Sequence, residues 1–147
     1  SSGKARSANV TNGCNLINGI TLYPGEEFST LEAITPFTEA NGYHMAASYL
    51  NGKVVDSLGG GICQVSTTLY NAVLIANLEV TERHPHSHRV YYVPQDKDAT
   101  IFYGTYDFKF KNNTSNVIKI VMENTPDNIT AKLIKIEEVK SEKGTRS

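Results

Sequence analysis

The chain has no tryptophan, only two cysteines, and no apolar run near the ~20 residues that cross a bilayer. Two cysteines, Cys14 and Cys63, exclude a disulfide-dense secreted scaffold, and the lack of any Cys-x-x-Cys pair excludes a zinc ribbon or dithiol redox motif. Charge of one sign is also missing. Fourteen Lys and Arg against fifteen Asp and Glu leave a net charge of −1, which argues against a surface built to coat nucleic acid or an anionic membrane. No phosphate loop, Gly-x-Gly-x-x-Gly or Gly-x-Ser-x-Gly occurs, so no nucleotide or serine-hydrolase chemistry is signalled by motif. Residues 1–7 lack the apolar stretch of a signal peptide and read as a cut point; a targeting or anchoring segment is expected outside this fragment.

What is present is globular: 147 residues, 39% hydrophobic and 20% charged, enough for one domain, with 8 Tyr and 5 Phe to fill a core. Residues 1–8, small and polar, are expected to be disordered, residues 9–137 to form a single domain, and residues 138–147 to be a charged tail or the start of a linker. Asn15 to Leu22 suits a short helix or a strand and turn, and Pro24-Gly25 a turn. Four acids and no Lys or Arg between Pro24 and Gly52 read as a solvated acidic face. Asn51-Gly52, flanked by Met45–Leu50 and Lys53–Asp56, predicts a hairpin, because Asn-Gly tolerates the positive φ of a type I′ turn.

Ile62, Val65, Leu69, Ala72, Val73 and Ala76 recur at helical spacing and predict a helix that begins near Cys63. Strands are predicted at 78–81, 89–93, 100–103, 107–111, 117–122 and 129–136, with Asn-rich turns at 112–116 and 124–128. The Asn-x-Ser/Thr sites at Asn112, Asn113 and Asn128 fall in these turns and read as turn chemistry, as distinct from Asn9. The fold class is α+β: one main helix with the cysteine at its N-terminus, packed on antiparallel sheet, and a C-terminal β-meander.

Gly59-Gly60-Gly61 ahead of Cys63 is the first chemical signal. A thiol at a helix N-terminus meets unpaired N–H groups and the positive end of the macrodipole, which favour the thiolate. Glycines let a substrate backbone approach and can present N–H groups to an oxyanion. These are the needs of acyl transfer through a thioester. A tight turn followed by a small core thiol explains the same residues equally well. The second signal is the run Glu82-Arg83-His84-Pro85-His86-Ser87-His88, which holds three of the four histidines. One of them can serve Cys63 as base; two or three can bind zinc; or they are polar residues of a loop stiffened by Pro85. Asp56, Asp98 and Asp107 are available to orient a histidine, and spacing picks none of them.

The run Gly59 to Ala72 (GGGICQVSTTLYNA) resembles the signature of the VanW domain family. So do Glu82-Arg83 with His86-Ser87, Tyr92-Val93-Pro94, Asp98-Ala99-Thr100, Asp107 to Thr114, Pro24 to Ser29 and Gly42-Tyr43. The likeness covers roughly residues 9 to 125; Gln95-Asp96-Lys97 stands where the family commonly has a glycine. It implies a bacterial cell-envelope protein, extracytoplasmic, mostly of Gram-positive bacteria, with membrane contact only through a segment outside this fragment. It further implies a cysteine-dependent L,D-transpeptidase or carboxypeptidase-type acyl transfer on peptidoglycan stem peptides, with no cofactor, no metal and no nucleic-acid partner. Carried over by position, the resemblance gives Cys63 as nucleophile and His86 as its base. Arg83 and Asp107 complete the catalytic set, and Gly60, Gly61, Gln64, Ser66 and Ser87 are the substrate and oxyanion residues.

Two other functions compete. A zinc hydrolase would use His84, His86 and His88 and be sensitive to chelators. A non-catalytic wall-binding accessory domain of glycopeptide resistance would bind without turnover and tolerate Cys63→Ala. Cys14 and Cys63 are expected to be unpaired, since Cys14 sits among Asn12, Gly13 and Asn15 with no chemical partner.

Overall fold

The computed structural model describes residues 2–50, 53–86, 94, 96–125 and 128–137. In chain order, helix α1 spans Ser2–Ile17, strand β1 Thr21–Leu22, β2 Glu27–Ser29 and α2 Thr30–Ile34. A 3-10 turn at Glu39–Asn41 leads to β3 (Met45–Leu50) and β4 (Lys53–Leu58), then to α3 (Cys63–Ala76). Strands β5 (Glu79–Glu82), β6 (Lys109–Lys111), β7 (Val117–Thr125) and β8 (Asn128–Ile136) follow. The domain is α+β, with antiparallel sheets in the orders β1-β7-β8, β2-β6-β5 and β3-β4. No helix among the described residues is long and apolar enough to cross a membrane.

Helix α3 is the central element. Val65, Leu69 and Val73 are wholly buried on its inner face, beside Phe108, Phe110 and Ile120. That stripe is the helical spacing of the sequence made physical, since burial of each side chain contributes ~1.5–3 kcal/mol. Asn77, at φ 59°, ends the helix in the left-handed region and donates its N–H to Leu74 and Val73 carbonyls. No side chain caps the other end.

Residues 1–8 were expected to be disordered, and from Ser2 they form the first turns of α1 instead. Val10, Cys14 and Ile17 bury one stripe of this helix. Its polar residues are anchors: the wholly buried Asn9 donates its amide to the His44 and Gly60 carbonyls at 2.9 and 3.0 Å and accepts the His44 N–H at 2.8 Å. Arg6 donates to the Ala47 carbonyl at 2.6 Å. These tertiary bonds outweigh the weak helix propensity of Ser, Asn, Thr and Gly.

Segment 100–103 was expected to be a strand and is not one; Phe102 and Tyr106 form only an isolated bridge. Its neighbours' backbone groups go to α3 instead of a ladder. The Ala99 carbonyl accepts from Ser66 and Thr67 hydroxyls, and the Ala99 N–H donates to Thr67 Oγ1. Expected strand 107–111 is ladder-paired only over β6, which joins β2 and β5. At the C-terminal end β7 and β8 pair from Val117↔Ile136 to Thr125↔Asn128, and the β3–β4 register runs from Met45↔Leu58 to Leu50↔Lys53, flanking Asn51-Gly52. The predicted strand at 89–93, the turn residues 51–52 and the tail 138–147 lie outside the described residues.

Gly60 shows why this loop must be glycine. A Cβ there would strike the Ala46 and Ala47 backbone, which cannot move aside as a side-chain tip can. Gly60→Ala is expected to destabilise the domain by ~1–3 kcal/mol, read as a lower urea midpoint at unchanged slope.

Candidate active site

Cys63 begins α3, half-buried, with its sulfur turned toward segment 99–101. The Ile101 N–H donates to Sγ at 3.5 Å, and Thr100 Oγ1 lies at 3.6 Å. His86 lies beside the same sulfur, close enough to lower its titration. The His86 ring is fixed from its other side, where Nδ1 donates to Asp98 Oδ2 at 2.6 Å. With Nδ1 so engaged, Nε2 is the ring nitrogen left for Cys63. The same carboxylate oxygen accepts the His86 backbone N–H at 2.6 Å, so Asp98 holds both the ring and its backbone. The arrangement is thiol, imidazole, carboxylate, each oriented by the next.

The electrostatics agree with the geometry. Burial pushes the Cys63 thiol up, but the His86 hydrogen bond, the Ile101 backbone and the Thr100 hydroxyl outweigh it and bring it below its ordinary 9.0. Burial pushes His86 down, but Cys63 and Asp98 raise it above 6.5. Burial opposes the Asp98 charge, but the His86 N–H groups hold its carboxyl below 3.8. Each shift favours the charged form of its group, thiolate, imidazolium and carboxylate, and the three titrate as a coupled unit.

Arg83 stands behind this unit. Its Nε donates to the Asp98 carbonyl at 2.9 Å, its Nη2 lies 3.4 Å from Asp98 Oδ1, and the guanidinium sits 5.0 Å over the Tyr70 ring. It thus positions the Asp98 carboxylate. Ser66, expected to contact substrate, is wholly buried and donates to the Cys63 and Ala99 carbonyls, tying 99–101 to the helix. Gly60, expected as an oxyanion donor, has its N–H taken by the Ser57 carbonyl. Among the described residues no acceptor takes the N–H of Gly61 or of Cys63. Gly61, at φ 99°, holds the left-handed turn into the helix. Gln64 is exposed beside it, and Ser87 lies outside the described residues.

Asp107 is the clearest departure from the expected site. Its Oδ2 accepts from Ser29 Oγ, the N-cap hydroxyl of α2, and its Oδ1 accepts the Leu31 N–H at 3.0 Å. The carboxylate beside His86 is Asp98, one of three that spacing could not separate. Asp107→Ala is expected to cost ~1–2 kcal/mol in urea unfolding through the lost cap, with the rate of Cys63 alkylation unchanged.

The histidines divide. His84 donates Nε2 to Glu82 Oε2 at 2.9 Å and stacks on Tyr106 at 4.6 Å, away from the partners of His86. His88 lies outside the described residues. Among the described residues no three His, Cys, Asp or Glu side chains converge to hold a metal ion.

Cys14 and Cys63 are both free thiols with unlike surroundings. Burial in the core pushes Cys14 up to about 11. Iodoacetamide at neutral pH is expected to add one label, at Cys63; Cys14 should react only after unfolding. Intact mass and peptide mapping read this directly, and a pair of hydrogens gained on reduction would mean a disulfide.

A family model described as "VanW like protein" matches residues 5–134. An uncharacterized protein, YoaR, of Bacillus subtilis (strain 168) is 39% identical over 120 residues, 82% of this chain and 40% of that protein. The vancomycin B-type resistance protein VanW of Enterococcus faecalis (strain ATCC 700802 / V583) is 30% identical over 109 residues, 71% of this chain and 40% of that protein. The chain therefore spans well under half the length of these relatives. No solved structure matches it. With nearly its whole length covered by one family model, the chain belongs to the VanW-like family.

Proposed function

We propose that this domain is a cysteine-dependent L,D-transpeptidase acting on peptidoglycan stem peptides, through a thioester on Cys63. The observation that carries the reading is the Cys63–His86–Asp98 alignment at the start of α3. The Cys63 thiolate attacks the carbonyl carbon of the third stem residue, and a C–S bond forms. The N–H groups of Gly61 and Cys63, which no described acceptor takes, are the donors available to the oxyanion. As the C–N bond to the terminal D-Ala breaks, His86 Nε2 gives its proton to the leaving amine. An amine from a neighbouring stem then attacks the thioester carbonyl. Its proton passes to His86, the C–S bond breaks, the thiolate returns and the new amide is the cross-link. Water in place of the amine yields the carboxypeptidase product.

The reading includes an extracytoplasmic location, where that substrate is found. Incubation with purified disaccharide-tetrapeptide fragments, followed by mass spectrometry, tests it. Released D-Ala with cross-linked dimers supports it; unchanged fragments with a folded, alkylatable protein contradict it.

A further inference from the structure

Beside the start of α3 lies a cavity of about 250 Å³, bordered by α1, Gln64 and the end of the β7–β8 hairpin. Its wall mixes Ser7 and Thr11 from α1 and Asn124, Thr125 and Asn128 from the hairpin with the apolar Val10 and Ile129. Arg6 is the only charged residue among those lining it. Its guanidinium carbon lies 3.5 Å from where a Gly61 side chain would begin, so the charge sits against the loop two residues before the nucleophile. The guanidinium is half-buried and donates to one carbonyl, that of Ala47. Among the described residues it has no carboxylate partner. A partly buried guanidinium has five N–H donors and normally meets a counter-ion.

We propose that Arg6 and this cavity form a carboxylate-binding subsite that takes the terminal carboxylate of the acyl-donor peptide, resting on the thioester reading of Cys63. In that donor the terminal carboxylate is one residue beyond the attacked carbonyl, about 3.8 Å along an extended backbone. Gly61, against which the guanidinium packs, and Gln64, which lines the cavity, flank Cys63 in the chain, so the carboxylate of a peptide held at Sγ is expected on the Arg6 side. The guanidinium fork suits a carboxylate bidentately, and the hydroxyl and amide groups around it supply further donors. Arg6 thus selects a peptide that ends one residue past the scissile bond over one that continues or is amidated.

The test is a titration of the intact domain with N-acetyl-D-alanine and with its amide, followed by NMR at the Arg6 Nε–H and the Ser7 and Thr11 amides. The acid is expected to move these resonances and to bind about tenfold more tightly than the amide, as a charge-assisted pair allows. Arg6→Gln should abolish the difference, and Arg6→Lys, which keeps charge without the fork, should retain part of it. Equal shifts with acid and amide, or none at the cavity, overturn the subsite. Acid-specific binding that Arg6→Gln abolishes, in a protein that never processes tetrapeptide, upholds the subsite and removes the transpeptidase reading instead.

Discussion

Cys63→Ala is expected to remove cross-linking altogether while the domain stays folded. The sulfur is a single half-buried atom, and its loss forfeits weak bonds to Thr100 and Ile101 worth ~1 kcal/mol together. The helix that follows owes its place to Val65, Leu69 and Val73, which the change does not touch. Activity should fall by about 10³-fold or more, because no covalent route survives without the attacking group. Cys63→Ser makes the point sharper. Its hydroxyl keeps hydrogen bonds to the same partners but stays protonated at neutral pH, so it too should be inactive. The readouts are dimer formation by mass spectrometry and the thermal midpoint. Cross-linking retained by a folded variant would remove thioester chemistry from the account.

The second large effect belongs to His86 and Asp98. Alkylation of Cys63 follows its thiolate, so the inflection of the wild-type rate should lie below pH 9.0, the ordinary thiol value. In His86→Ala the chief lowering partner is gone and burial is left less opposed, so the inflection should move upward. In Asp98→Asn the imidazolium loses its carboxylate, His86 falls back, and the thiol inflection rises with it, by less than in His86→Ala. Turnover should drop by about 10²–10⁴-fold in either variant, the usual worth of a positioned acid–base group. His84→Ala should leave the profile in place, because His84 pairs with Glu82. The sign for folding follows from Asp98, whose carboxyl lies below 3.8 in the fold. Its contribution is complete above that pH and fades as pH falls through the folded value. An upward shift in His84→Ala or His88→Ala, with none in His86→Ala, would name a different base.

Helix α3 was legible because Ile62, Val65, Leu69, Ala72, Val73 and Ala76 recur in steps of three and four, a mixture of odd and even that one strand face does not allow. The β7–β8 pair was legible for the same reason, through the alternation of Ile118, Ile120 and Met122. Helix α1 was hidden by composition. Asn9 reads as a loop residue, and what makes it helical is its reach to His44 and Gly60, far away in the chain. Segment 100–103 looked like a strand, with Thr100 and Ile101 β-branched, yet the Ile101 N–H bonds to Cys63 and the adjoining Ala99 carbonyl to Ser66 and Thr67. Cys63 and the histidine run stood out by type and neighbourhood, and the family resemblance singled out His86. The choice of Asp98 over Asp107 needed the fold: both follow the histidine run, and only tertiary placement puts one beside His86 and the other at the cap of α2.

The central claim is a covalent acyl group on one sulfur. The most direct measurement is intact-mass spectrometry of the protein, acid-quenched seconds after mixing with a stem tetrapeptide and no acceptor amine. The account predicts a mass gain equal to the tripeptide acyl group, mapped to the peptide containing Cys63, released by hydroxylamine and absent from Cys63→Ala. Release of D-Ala with the protein mass unchanged, or an adduct that persists in Cys63→Ala, would contradict it.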